Sequence, residues 1–497
     1  MATRSISRNA VLNFMGQGAP LLVGALTIPF TVRWLGPTRF GILSLVWVLI
    51  GYFNVFDLGL GRAITKFVAD AAERDETEVP SLVGTAMGAQ VALGLIGGIV
   101  VWVAAPPFVE RVLTVPAGVV DEARGAFHIV ALAVPVALAS ASLRATLEGA
   151  QRFDLVNAVR VPLGSLYFVV PLVGAAARLG LPVIVLSIFL LQLCGAVVQY
   201  RLCVRTFPGL RSLRLELRTL KRLLSFGGWV AVSGVVGPVL VYLDRFAIGV
   251  LLSVGAVGLY AAPYEVVTRL SIIPIGLSAA LFPVFSAERV PEKVEALVSR
   301  SLYFLILTVG PLVLLAVALA DDVVGIYLGA GFRDAPVSIA LQILAIGVFA
   351  NSLAYVPYSL LQASGRADVT AKFHLAELPL HFLVVWLLVD AFGLIGAAMA
   401  WSLRATLDAG LLFVAAGRLT PLSYRAISSS RVLSLGSGIA ALAVPAFAIS
   451  VLPSVWLRVG ALLLAIGAAA ALLTSEAMGR GWRDILPPVL SAFSLRR

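Results

Sequence analysis

Charge, histidine and cysteine are all scarce in this 497-residue chain, and each shortage removes a class of function. Asp, Glu, Lys and Arg make up 13% of the residues, whereas soluble domains carry about 25%. Sixty per cent of the residues are hydrophobic, and mean hydropathy is +1.00. Length alone would give roughly three soluble domains, but a chain this short of charge cannot cover them with polar surface. Nucleic-acid-binding folds, cytosolic cofactor enzymes and an extracytoplasmic catalytic domain are thereby excluded. The two cysteines, Cys194 and Cys203, both fall in or at the end of one apolar run, which does not favour a structural disulfide. Metal-site spacing and nucleotide-binding motifs are absent, so no metal or cofactor is expected.

What the sequence has in abundance is apolar runs. Runs of about 20 residues cross a ~30 Å hydrocarbon core. Segmenting on that length gives about fourteen spans, near 9–33, 40–69, 81–105, 123–148, 155–178, 182–204, 221–251, 255–286, 297–320, 335–362, 368–390, 393–417, 431–451 and 455–475. The expected fold class is an all-α integral membrane protein. The first run is too long for a signal-peptide core and reads as a retained span. Proline recurs inside the runs, at Pro29, Pro135, Pro162, Pro171, Pro238, Pro274 and Pro357, a pattern of bent helices lining a cavity.

The net charge of +11 would draw nucleic acid if it were gathered on one surface, but it is distributed by loop. One alternate set of loops holds about 26 basic residues and the other about 7, with Arg62, Arg245, Arg269 and Arg404 left inside spans. The positive-inside rule then places both termini in the cytoplasm. The densest basic stretch, Arg205 to Arg222, interleaves Arg214, Arg218 and Lys221 with Leu213, Leu215, Leu217 and Leu220. It reads as a topology signal and as an interfacial linker attracted to anionic inner-leaflet lipid.

Residues 1–210 laid on 215–420 show a repeat. The segment from Leu147 to Asp154 falls on Leu361 to Asp368, Leu179-Gly180 falls on Phe392-Gly393, and Gly41-Ile42-Leu43 meets Gly258-Leu259-Tyr260. Each match is weak; the nearly constant offset is the stronger signal. Six spans separate the copies, so both enter the membrane in the same direction, as in parallel repeats related by a pseudo-two-fold axis along the membrane normal. The expected organisation is an N-terminal six-helix lobe over 1–210, a second six-helix lobe over 211–420, and two additional helices with a cytoplasmic tail over 421–497.

The first eighty residues hold Asn9, Asn13 and Gly16, then Pro29, then Arg33-Trp34-Leu35-Gly36-Pro37-Thr38-Arg39-Phe40-Gly41, then Asp57-Leu58-Gly59-Leu60-Gly61-Arg62-Ala63. Further on come Tyr242-Leu243-Asp244-Arg245-Phe246 and Gly258-Leu259-Tyr260. This pattern resembles the oligosaccharide flippases, the polysaccharide-transporter branch of the multidrug/oligosaccharidyl-lipid/polysaccharide exporter superfamily, over essentially the whole chain. The resemblance implies movement of a polyprenyl-pyrophosphate-linked oligosaccharide from the cytoplasmic to the outer leaflet of a bacterial inner membrane. It also implies membrane lipid, the glycosyltransferases and the polymerase of the same pathway as partners, with the chain acting as a monomer.

Ionisable residues near the midplane each cost about 2.5–3.5 kcal/mol on insertion scales, so they mark buried pairs or a polar pathway. Glu265 and Arg269 stand four apart in span eight, and Arg404 and Asp408 repeat that spacing in span twelve. One reading is a pair of intrahelical ion pairs. The other is that Arg269 faces a central cavity and holds the pyrophosphate in two parallel hydrogen bonds, with Glu265 orienting it. Asp57 and Arg62 flank the Gly59/Gly61 break, either as a helix cap with a snorkelling arginine or as a second cationic wall opposite Arg269. Of the neighbours Asp244 and Arg245, about 100° apart on a helix, one is expected to face the cavity and the other headgroups or another helix. His374, Glu377 and His381 share a face of span eleven, but their spacing does not make a zinc site. A polar face against water or another helix is expected, with proton coupling by Glu377 and His381 as the rival reading.

Three function classes remain. The preferred one is a lipid-linked oligosaccharide flippase working by alternating access of two lobes about a cationic cavity. A cation-coupled drug or metabolite exporter of the same superfamily would need an acidic cavity. A membrane glycosyltransferase or polymerase would need a larger outer loop than 106–122 or 321–334 provides.

Overall fold

The computed structural model describes residues 2–55, 59–74, 76–287, 290–329 and 336–420, with short stretches between 445 and 467. Every regular element among them is helical. In chain order these are α1 (Ala2–Val55), α2 (Leu60–Arg74), α3 (Val79–Pro107), α4 (Val120–Gly149), α5 (Phe153–Ala176), α6 (Leu181–Thr206), α7 (Leu217–Leu251), α8 (Val254–Thr268), α9 (Ile272–Ala287), α10 (Pro291–Ala318), α11 (Ala320–Tyr327), α12 (Pro336–Ala363) and α13 (Ala367–Leu419). Nine helices among the described residues are long and apolar enough to cross a membrane. The chain is an all-α, multi-pass membrane protein. Most of span thirteen and about half of span fourteen lie outside the described residues, as does most of the segment 421–497.

Four spans differ from the sequence reading. Span two is not continuous: α1 bends at Gly36 (φ 77°), its second limb ends at Val55, and the chain restarts as α2 behind Gly59 (φ 73°). The reason lies in α2, which carries charge on one side and a stripe of Leu60, Ala63, Ile64, Val68 and Ala71 buried on the other. Span eight is interrupted by a 3₁₀ turn at Arg269–Ser271 between α8 and α9. Spans eleven and twelve run together as α13, bent at Gly393 (φ 59°).

The chain forms two compact units, one of Met1–Val266, Ile326–Gly331 and His374–Ala400, the other of Val267–Gly325, Phe332–Phe373 and Trp401–Arg497. In the first unit α4 is the central helix, packed on α1, α2, α3, α5 and α6. One end of this bundle is clamped by Arg39, which donates to both carboxylate oxygens of Glu122 at 2.9 and 2.6 Å, while Glu122 also accepts the Leu181 amide. In the second unit α12 packs on α9 and α10; Gln342 donates to the Val317 carbonyl, and the Ser278 and Ser359 hydroxyls meet at 2.5 Å.

Two turns recur about 215 positions apart. After α4, Gln151 (φ 58°) ends the helix with Arg152 N–H on Leu147 O and Gln151 N–H on Glu148 O. After α12, Gly365 (φ 73°) does the same with Arg366 N–H on Leu361 O and Gly365 N–H on Gln362 O. The left-handed residue after α5 is Arg178 (φ 54°), and its counterpart in α13 is Gly393, so the register there differs by two from the alignment that put Gly180 on Gly393.

The second limb of α1 crosses α8 at glycine. A Cβ on Gly41 would lie 1.7 Å from the Val254 carbonyl oxygen, and one on Gly258 would lie 2.1 Å from that of Pro37. The contacts are reciprocal, since 37 and 41 stand in the same relation to 254 and 258. Backbones this close leave no room for a side chain. Gly41→Ala is therefore expected to cost on the order of 1–3 kcal/mol, seen as a lower melting temperature of the purified protein. Gly118→Ala, in open space, is the control and should leave it unchanged; equal melting of the two variants would contradict the crossing.

Candidate functional site

A buried polar network lies where α1, α7 and α8 meet. Asp244 and Arg245 are only 1% and 2% exposed, and both meet other helices rather than lipid headgroups. Both are held from neighbouring elements. The Tyr260 hydroxyl donates to Asp244 Oδ2 at 2.5 Å, and the Arg245 amide donates to Asp244 Oδ1. The Arg245 guanidinium donates to Glu265 Oε1 at 2.9 Å and to Ser44 Oγ at 3.3 Å, and it lies 4.7 Å from the centre of the Tyr264 ring and 5.4 Å from that of Tyr242. Glu265 thus takes Arg245, on a different helix, as a partner. The α-helix that carries Glu265 ends at Thr268, and Arg269 opens a 3₁₀ turn.

The other sequence candidates are spread over several elements. Arg62 is on the exposed face of α2 and makes no ion pair among the described residues; Asp57 lies outside them. Arg269 is half-buried. Glu377 and His381 are buried on α13, and further along it Arg404 is half-buried and Asp408 buried. No cluster of metal-ligating side chains occurs among the described residues, and Cys194 and Cys203 are free thiols.

One charged group was missed as a site because its members were counted as loop charges setting topology. Arg144 lies on α4 and Arg160 on α5, inside helices. Arg160 is within electrostatic reach of both Arg144 and Glu148, and Arg144 Nε is 3.9 Å from Glu148 Oε1. Ser140, Arg144 and Glu148 recur every fourth residue and continue, toward the end of α4, the partly open face that also carries Leu132 and Val136. Two guanidiniums and one carboxylate leave this group with a net positive charge.

The sequence pattern of the polysaccharide biosynthesis protein family matches residues 6–288. A Shigella flexneri protein assigned as an O-antigen transporter is 30% identical over 408 residues, covering 82% of this chain and 97% of that protein. The chain belongs to the polysaccharide biosynthesis protein family. Its fold is shared with the lipid II flippase MurJ in an inward closed conformation (TM-score 0.73, 11% identity, 93% of this chain and 99% of that one). It is shared also with an inward-facing multidrug resistance MATE family transporter of the MOP superfamily (TM-score 0.71, 15% identity, 86% and 99%). Within this family member Arg245 is buried in its network, whereas Arg144 is half-buried and Arg160 exposed.

Breaking the closed pair from one side leaves an uncompensated buried charge, at a cost of about 3–5 kcal/mol. Arg245→Met and Glu265→Gln should each lower the melting temperature sharply, and the double variant should recover much of the loss. A double variant as unstable as the sum of the two singles would show that the groups do not act as a pair.

Proposed function

We propose that this chain is a transporter that carries polyprenyl-diphosphate-linked oligosaccharide from the cytoplasmic to the outer leaflet of a bacterial inner membrane, for cell-surface polysaccharide biosynthesis. Kinship supports the substrate class: the Shigella flexneri relative is matched over nearly its full length. The observation that carries the chemistry is that Arg160, exposed on α5, lies within electrostatic reach of Arg144 and Glu148 on the partly open face of α4. Paired guanidiniums offer parallel N–H forks to the oxygens of a diphosphate, the geometry in which arginine surpasses lysine. Arg62 and Arg269 are further candidates for headgroup contact, and Glu377, His381, Arg404 and Asp408 for coupling.

A cation exporter needs free carboxylates in its interior. Here Glu265 is engaged by Arg245 and Asp244 by Tyr260, which disfavours that reading. In this proposal both termini are cytoplasmic, the transported lipid and the bilayer are the partners, pathway glycosyltransferases and polymerase act before and after, and the chain works as a monomer. Spans one to six and seven to twelve form two lobes exchanging access by rocking. The recurrence of the Gln151 and Gly365 turns and the reciprocal Gly41 and Gly258 contacts support that pseudo-two-fold relation.

Proteoliposomes containing a fluorescent polyprenyl diphosphate oligosaccharide test the reading. Wild-type protein should move the lipid between leaflets, and Arg160→Ala should weaken headgroup binding about ten- to a hundredfold, the effect of losing a charged hydrogen bond of roughly 1.5–3 kcal/mol. Arg160→Lys should recover part of it. Export of a cationic drug without movement of the lipid would reject the proposal.

A further inference from the structure

The first unit contains a belt of aromatic rings that the headgroup site does not use. Trp47 on α1 lies with its ring centre 6.0 Å from that of Tyr167 and 5.4 Å from that of Phe168, both on α5. Tyr167 is within electrostatic reach of Tyr242 on α7, and Tyr242 of Tyr264 on α8. All four helices approach one level. Trp47 is eleven positions past the Gly36 bend, Tyr167 nine before the end of α5, Tyr242 nine before the end of α7, and Tyr264 ten after the start of α8. At 1.5 Å per residue each stands roughly 13–17 Å from those ends. The ends are themselves tied together, through Arg39, Glu122 and Leu181 and through the Gly41 crossing.

The rings are not sealed in packing. Trp47, Tyr167, Phe168 and Tyr242 are all partly exposed, although they stand well inside their helices, away from the ends. The Trp47 Nε1–H is buried and has no acceptor among the described residues, an arrangement that costs about 1–3 kcal/mol unless a ligand completes it.

Resting on the transport reading above, we propose that Trp47, Tyr167 and Tyr242 form the subsite for a pyranose ring of the oligosaccharide. A pyranose presents an apolar C–H face and a rim of hydroxyls. Ring faces with an indole N–H and phenol hydroxyls at their edges match both, because aromatic side chains pair an apolar body with a polar tip. A lipid tail has no use for the donors. A diphosphate needs open cations, and the nearest guanidinium, Arg245, is closed by Glu265. Arg160 lies seven positions before Tyr167, about 10 Å along α5, so a headgroup held there delivers its own attached sugars to the belt.

The test is equilibrium binding, in nanodiscs, of two probes: a polyprenyl diphosphate carrying a short neutral oligosaccharide and the same lipid without sugar. Wild-type protein should bind the glycosylated probe about tenfold more tightly. In Trp47→Leu and in Tyr167→Leu the two affinities should become equal by loss of the glycosylated probe alone, with sugar-free binding within about twofold of wild type. Trp47→Phe, which keeps a ring and removes the N–H, should retain about a threefold preference. An undiminished preference in the Leu variants, or equal loss of both probes in Trp47→Phe, overturns the subsite and leaves the transport reading standing. Wild-type protein that binds neither probe overturns both.

Discussion

A charge at membrane depth has to be wrapped by protein or open to an interior that water and substrate can enter, and this constraint sorts the residues of the molecule. Arg245 satisfies it by enclosure. A carboxylate, a serine hydroxyl and two tyrosine faces surround its guanidinium, and its neighbour Asp244 receives a phenol and a backbone amide. Arg144 and Arg160 satisfy it by standing on partly open faces of α4 and α5. The same residue type is thus enclosed on α7 and open on α4 and α5.

The enclosed network also explains why the helices can come so close at one end. Glycine at 41 and 258 removes the side chains that would hold α1 and α8 apart, and Arg245 then reaches Ser44, one turn along α1 from that crossing. Close backbone approach and the buried ion pair are mutually dependent: without the crossing, Arg245 would lose its hydroxyl partner. With the pair broken, a buried charge would push the helices apart. The aromatic belt begins beside this network, since Tyr242 and Tyr264 face Arg245 and also continue the ring sequence through Tyr167 to Trp47.

Most of the fold was legible because membrane helices advertise themselves by length and hydropathy, and α3 to α7, α10 and α12 lie close to the runs from which they were predicted. The bends were legible only in part. Gly36 follows from its Gly-Pro turn, whereas the 3₁₀ turn at Arg269 has no local signal beyond Pro274 downstream. The partnership of Glu265 with Arg245 could not be read, because they stand twenty positions apart on different helices and only the fold brings them together. Arg144 and Arg160 were hidden for a related reason. Their position near span ends made them resemble topology charges, and nothing in a single sequence shows that α5 brings Arg160 within electrostatic reach of Arg144 and Glu148.

The central claim is that the interior charges divide between an enclosed set and an open set. In a background with Cys194 and Cys203 replaced by alanine, single cysteines at Ser44 and at Ser140 can be exposed to a hydrophilic thiol reagent in membrane fragments open on both sides. The account predicts rapid modification at position 140, on the open stripe of α4, and none at position 44, beside the enclosed guanidinium. Equal reactivity at the two positions, or protection at 140 with modification at 44, would contradict it.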